Sequence, residues 1–127
     1  MMLRTPLGRV RGLGSAKEGV THWWTQRVTA LALIPLAVWF VASVISLAGA
    51  GYEAVAIWLG SPVVAGLMIL LLIATFYHAA LGLQVVVEDY VHDEGAKLAA
   101  ILIIKALCLV LGLTGVLAVL KLAFGGL

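Results

Sequence analysis

The sequence predicts an all-α membrane protein with three transmembrane helices and its N-terminus on the inner side of the membrane. Of its 127 residues, 64% are hydrophobic and 11% are charged, whereas an average soluble domain has roughly 25% charged residues. Three apolar runs, at about 28–47, 63–87 and 98–120, can each cross a hydrocarbon core about 30 Å thick at a helical rise of about 1.5 Å per residue. The chain is therefore one transmembrane domain, 1–127, with a tail and interface segment at 1–27.

The placement of the basic residues predicts the orientation. Lys97 lies between the second and third runs, and the loop after the first run has no Lys or Arg. Most of the other basic residues precede the first run: Arg4, Arg9, Arg11, Lys17 and Arg27. By the positive-inside rule, segment 1–27 and the second loop face the cytoplasm or a mitochondrial matrix. We expect a multi-pass protein of a bacterial inner (plasma) membrane, or of the mitochondrial inner membrane if it is eukaryotic, in which case the Arg-rich start is compatible with a transit peptide.

The first two spans carry local signals near their ends. Trp23 and Trp24 mark the inner interface, because indole rings favour the headgroup layer. Pro35 removes a backbone donor inside the first span and predicts a bend there. The outer loop, AGAGYEAVAIWLGSP, is expected to be short and to lie flat. Its Ser61 and Pro62 predict the N-cap and the first turn of the second span.

Small and charged residues have specific predicted roles around the third span. Gly112, Gly115 and Ala118 form a stripe of small side chains that permits close helix contact. Lys105 is expected to extend its ammonium group toward the inner surface. Asp93 is a candidate N-cap for the third helix.

His78 lies in the apolar part of the second span, about 15 Å by helical rise from its inner end at Glu88. An ionisable group at this depth is a functional candidate, and the alternative is a structural hydrogen bond to a neighbouring helix. The functional candidates are a proton relay and a metal or haem ligand. A relay needs further titratable groups at similar depth, and the second span has none.

A haem fits His78 better than a relay does, because neutral imidazole is a standard axial ligand. The residues around it are small: Ala74, Ala79, Ala80 and Gly82. A haem that transfers electrons needs two protein ligands. Met68 lies about 15 Å away along the same helix, while His22 and His92 are at or beyond the interface. The second ligand must therefore come from another subunit.

The inner end of the second span is a candidate quinone site. Asp89 returns to nearly the same helix face as His78, about 16 Å nearer the inner surface, and Tyr90 follows it. A phenol that donates to a carbonyl oxygen, beside a carboxylate that passes protons, suits quinone reduction. An interfacial aromatic belt and a helix-ending acid are the alternative. Arg27, at the start of the first helix, suits haem propionates, or simply follows the positive-inside pattern.

The run HAALGLQVVVEDYVH, with QRVTALALIPL in the first helix, resembles the small hydrophobic anchor subunit of succinate dehydrogenase, the cytochrome-b-type component of respiratory complex II. The resemblance implies a haem b between two three-helix anchor chains, with His78 as one axial ligand of its iron. It also implies that Tyr90 and Asp89 contact ubiquinone. Arg27 matches the arginine near the haem propionates, and His22 is a looser match there.

The resemblance further implies three partner subunits: a larger cytochrome b anchor that supplies the second axial histidine, an iron–sulfur subunit and a flavoprotein. Electrons from succinate would reduce ubiquinone at the inner face. With one cysteine and no flavin fingerprint, the isolated chain is a non-catalytic anchor. We expect contact with membrane lipid and none with nucleic acid. The alternatives are an anchor of a fumarate reductase and a haem-free structural or transport subunit.

Overall fold

The computed structural model describes residues 5–10 and 17–125, except for the side chains of residues 8, 9, 17 and 18. The described residues form helices joined by short turns, with no strand among them. The helices are α1 (Pro6–Val10), α2 (Lys17–Ser46), α3 (Tyr52–Gly60), α4 (Pro62–Tyr90) and α5 (Glu94–Ala123). The predicted all-α class is confirmed.

Three of the described helices are long and apolar enough to cross a membrane: Gly19–Ser46, Pro62–Tyr90 and Glu94–Ala123. They contain almost all of the predicted spans and extend beyond them, so the multi-pass architecture is confirmed. The largest difference lies at the start of α2, because Arg27 is inside this helix rather than at its beginning. Residues 20–34 contain neither Gly nor Pro, so nothing interrupts the helical hydrogen bonds where the chain leaves the apolar layer.

α4 is the central helix of the fold. It packs against both α2 and α5, whose backbones do not approach each other closely within the described residues. A Cβ at Gly112 would lie 3.4 Å from Cδ2 of Phe76, and one at Gly115 would lie 3.2 Å from the Leu72 methyl groups. These two glycines therefore form the predicted close contact, whereas Ala118 is exposed.

The predicted helix starts are confirmed in part. The Asp93 carboxylate accepts a hydrogen bond of 2.8 Å from the backbone N–H of Ala96, so it caps α5. Ser61 occupies the N-cap position of α4 without a side-chain capping bond, and Pro62 is the first helical residue. α2 continues through Pro35, and the bend there stays a prediction.

The outer loop contains a short helix that the sequence analysis did not predict, because residues 52–60 form α3, and its expected flat arrangement stays a prediction. Val55, Trp58 and Leu59 recur at helical spacing and are half-buried, so this short helix gains stability by packing its apolar side on α4 and α5. The Trp58 ring stacks on that of Trp39 with centroids 5.8 Å apart.

The buried core lies toward the outer side. Ala65, Met68 and Val119 form a cluster near the start of α4 and the end of α5, and α3 covers it. Met68 is thus a packing residue, as its distance from His78 implied. The inner halves of α2 and α4 are less filled, and the candidate site lies there.

Candidate functional site

His78 connects α4 to α2. Its Nδ1 lies 3.0 Å from Oγ1 of Thr29, within hydrogen-bonding distance, and its ring is half-buried. The other ring nitrogen, Nε2, makes no hydrogen bond to any residue that the structure describes. The arrangement therefore holds the imidazole by one nitrogen and leaves the second available to a ligand.

A groove of about 500 Å³ runs beside His78 between the inner halves of α2 and α4. Its lining residues from α2 are Gly19, His22, Trp23, Gln26, Arg27 and Ala30, and those from α4 are His78 and Val85. The lining from α2 recurs every three or four residues, so one face of this helix forms the wall. The structure thus brings together three of the predicted site residues, His78, Arg27 and His22.

Two polar atoms of this wall have no partner. His22 Nε2 and Gln26 Oε1 are both shielded from solvent and make no hydrogen bond within the described part of the chain. An unsatisfied buried polar atom costs about 1–3 kcal/mol. Such pairs are rare unless a ligand, water or another subunit completes them. Gln26 packs beside Gly82, where an added Cβ would be in ordinary van der Waals contact with Gln26 Nε2 at 3.5 Å.

Arg27 supplies the positive charge of the groove. Its guanidinium carbon lies 5.2 Å from the centroid of the Trp23 ring, close enough for a cation–π contact that orients the fork. Among the described residues no carboxylate pairs with it. The Arg27 donors are therefore available to an anionic group in the groove.

These residues fit a haem at one side only. An open imidazole nitrogen suits an iron ligand, and an unpaired guanidinium suits a propionate contact, whereas Gln26 Oε1 accepts only and needs a donor. Of the other candidate ligands, Met68 is in the core cluster and His92 is exposed beyond the end of α4, while His22 shares the groove and is a candidate propionate contact. No group of three or more His, Cys, Asp or Glu suited to a metal ion occurs in the described ranges.

Asp89 and Tyr90 lie apart from the groove, at the inner end of α4. Both side chains are exposed, Tyr90 by 78%, and neither makes a hydrogen bond within the described residues. They are about 16–18 Å from His78 by helical rise. Adjacent residues of a helix point about 100° apart, so the phenol and the carboxylate do not face each other. The proposed quinone pair is therefore presented to a surface outside this chain.

Lys105 is a residue of α5. It contributes to a second groove of about 610 Å³, together with His22, Tyr77 and Glu88. The ammonium group forms no ion pair with the described acids. Its predicted extension toward the inner surface stays a prediction.

Comparison with known proteins decides the family. The model of a family described as "Succinate dehydrogenase/Fumarate reductase transmembrane subunit" matches residues 1–112. The chain belongs to this family. As a transmembrane subunit, it is part of a larger complex, and the three apolar helices agree with a membrane anchor.

Relatives of this transmembrane subunit have consistent names. A "Succinate dehydrogenase hydrophobic membrane anchor subunit" from Rickettsia conorii is 30% identical over 80% of this chain and 82% of its own length. One of the same name from Paracoccus denitrificans is 34% identical over 77% of this chain and 75% of its own. A "Succinate dehydrogenase membrane anchor subunit" from Reclinomonas americana is 26% identical over 73% and 80%. No solved structure matches the chain significantly.

Sequence reasoning missed two polar residues of this site, Gln26 and Thr29. Their signal is the spacing from His22, because positions 22, 26 and 29 share one face once the helix extends that far. The first helix was predicted to start near Arg27, which placed His22 and Gln26 in an irregular tail. The site therefore depends on a helix that begins earlier than hydropathy indicates.

Proposed function

We propose that this chain is the small membrane anchor of a succinate dehydrogenase, in which it holds one side of a b-type haem and forms part of a ubiquinone-reduction site at the inner face. The observation that carries the proposal is the state of His78, which is anchored through Nδ1 while Nε2 is open beside a groove with Arg27. The names of the relatives support succinate as the electron donor. The family description includes fumarate reductase, which is the alternative direction.

The haem contacts of this chain follow from the chemistry of the groove. His78 Nε2 would hold the haem iron, while Arg27 and His22 would bind the propionates, the arginine through its planar pair of donors. When bound, the haem would supply one-electron redox capacity within the membrane. The larger cytochrome b anchor would supply the second histidine ligand.

The quinone contacts are proposed for the exposed inner end of α4. The Tyr90 hydroxyl donates a hydrogen bond to a quinone carbonyl oxygen, and the Asp89 carboxylate accepts or passes protons as the quinone is reduced. Their exposure supports this role, since both groups are accessible to a ligand at an interface with another subunit. The iron–sulfur subunit is the expected neighbour there, with the flavoprotein beyond it.

A bacterial inner membrane, or the mitochondrial inner membrane in a eukaryote, is the proposed location. The N-terminal segment and the loop at 91–93 lie on the inner side, where the soluble subunits dock. The isolated chain performs no chemistry of its own.

A haem-free structural subunit is the second candidate, and one observation favours it. His78 already has a polar partner on α2, and an interhelical hydrogen bond is by itself a reason for a histidine in a membrane span. The two candidates differ in whether Nε2 binds iron.

The test is the haem spectrum of the purified complex with His78→Ala. We expect the unaltered complex to show a low-spin, six-coordinate b haem, and the variant to lose it or retain it weakly with helix insertion intact. His92→Ala is the control, because His92 is exposed in the loop after α4 and should leave the spectrum unchanged. A His78→Ala complex with an unaltered haem spectrum would assign His78 to packing.

A further inference from the structure

We propose that Thr29 is a positioning residue that fixes the tautomer of His78, with its hydroxyl accepting a hydrogen bond from Nδ1–H. Nε2 then carries a lone pair directed away from α2. The inference rests on the proposed function, in which Nε2 binds the haem iron. It assigns a role to a residue of the first span that has no ligand contact of its own.

The Thr29 hydroxyl has a single proton to donate. Thr29 Oγ1 lies 2.8 Å from the carbonyl oxygen of Thr25 and 3.0 Å from that of Gln26. Both carbonyls only accept, and we assign the proton to one of these hydrogen bonds with the helix backbone. What remains for His78, 3.0 Å away, is a lone pair of Oγ1. The ring nitrogen that meets it must therefore be the protonated one.

Other hydroxyls in the membrane helices show the same preference. Thr25, Ser43 and Thr114 each donate to the carbonyl four residues earlier, all at 2.7 Å. Donation to the backbone is thus the ordinary state of a hydroxyl in these helices, where water is scarce. Thr29 differs only in having a ring nitrogen on its other side.

The opposite arrangement has a different chemical consequence. If the Thr29 hydroxyl donated to Nδ1, the proton of neutral imidazole would lie on Nε2, which could not bind iron. Ligand binding at Nε2 therefore distinguishes the two arrangements, because only the tautomer protonated at Nδ1 can bind a ligand there. In the proposed arrangement Thr29 selects the binding tautomer before the ligand arrives.

A hydrogen bond donated by Nδ1–H also tunes the bound metal. It increases electron donation from the imidazole and fixes the ring plane, and partners of this kind typically contribute 10–100-fold to metal affinity or activity. Stronger donation stabilises the oxidised iron more than the reduced iron. Loss of the Thr29 hydroxyl should therefore weaken haem retention and raise the midpoint potential of the haem.

The experiment compares Thr29→Val with Thr29→Ser in the whole complex. Valine keeps the shape and removes the hydroxyl, whereas serine keeps the hydroxyl. Thr25→Val is the matched control, because the Thr25 hydroxyl donates to a carbonyl one turn earlier and is not hydrogen-bonded to a ring. The readouts are haem content, the low-spin electron paramagnetic resonance signal and the midpoint potential in a redox titration.

We expect Thr29→Val to bind haem at least about tenfold more weakly, with a shifted low-spin signal and a higher potential. Thr29→Ser should restore all three, and Thr25→Val should match the unaltered complex. Haem present in Thr29→Val with unchanged signal, affinity and potential overturns the inference and leaves the proposed function standing. Equal losses in the valine and serine variants also overturn it. An unaltered complex without haem overturns the proposed function itself.

Discussion

Gln26 and His22 each carry a shielded polar atom that no described residue satisfies, one turn apart on the groove wall of α2. At this scale the cost of a single unpaired atom, about 1–3 kcal/mol, is a large fraction of the stability of a small protein. Such atoms are found in proteins where a ligand, water or another subunit forms a hydrogen bond with them. Gln26 Oε1 accepts only, so its partner must be a donor.

Arg27 provides a testable prediction at the scale of one residue. Replacement by Gln removes a positive charge beside the proposed haem, which should lower its midpoint potential and weaken its retention by about 1 kcal/mol, the scale of a partly exposed ion pair. Arg27→Lys keeps the charge and is the control. The direction is opposite to that expected for Thr29→Val. A redox titration that shows no change for Arg27→Gln would place the propionates elsewhere.

Tyr90 permits an equally specific test. Tyr90→Phe removes the donor to the quinone carbonyl and should slow quinone reduction by about tenfold or more, because positioned proton donors contribute roughly 10²–10⁴-fold. Assembly should be unaffected, since the side chain is 78% exposed. Tyr52→Phe is a matched control, because Tyr52 is also 78% exposed and lies at the opposite end of the helices. Normal succinate–quinone turnover in Tyr90→Phe would make this tyrosine an interfacial anchor only.

At the scale of whole helices, the contact of α4 with α5 depends on two glycines. Between membrane helices there is little hydrophobic driving force, so close van der Waals packing contributes much of the attraction. The Leu72 methyl groups occupy the space over Gly115, and the Phe76 ring occupies that over Gly112. These contacts keep α4 in place while its other side carries His78.

Gly115→Val should separate α4 from α5. The β-carbon alone would be 3.2 Å from Leu72, and the further methyl groups should destabilise the packing by about 1–3 kcal/mol. Gly66→Val is the matched control, because nothing lies within 4 Å of a Cβ at that helical glycine. Thermal unfolding of the detergent-solubilised complex measures the difference. Equal melting temperatures for the two variants would show that the helix contact is loose.

The three spans and the starts of α4 and α5 could be predicted from the sequence, whereas the start of α2 and the existence of α3 could not. Hydropathy detects the apolar layer, so it located the three spans but not the part of α2 that lies before Arg27. Hydropathy also did not reveal α3, because a nine-residue helix is too short to span a bilayer. This helix becomes stable only by packing on α4 and α5. Asp93 was predictable as a cap because its chemistry is local.

At the scale of the whole molecule, the residues of the candidate site come from two different helices. The sequence predicted His78, Arg27 and His22, and the structure brings them to one groove between two helices. Thr29 and Gln26 could not be recognised without the start of α2. Helical distance separates Met68 from His78, so Met68 is not expected to bind the same proposed iron, and the structure places it in the core cluster.

The orientation of the whole chain can be tested by cysteine labelling. In a Cys108→Ala background, Ala50→Cys lies in the turn before α3 and His92→Cys in the turn before α5, both at exposed positions. A membrane-impermeant maleimide should label position 50 from the outer side of intact cells or vesicles, and position 92 only after the inner side is opened. The reverse pattern would contradict the positive-inside assignment.

Four side chains are buried among the residues that the structure describes, Ala65, Met68, Ala74 and Val119, and this small number has a consequence for the life of the protein in the cell. With so few buried side chains, a newly inserted copy has little internal packing to hold it in one conformation before its partner subunits bind. We expect unassembled copies to be short-lived substrates of membrane proteases, so that the amount of this chain in the cell follows the supply of the scarcest companion rather than its own rate of synthesis.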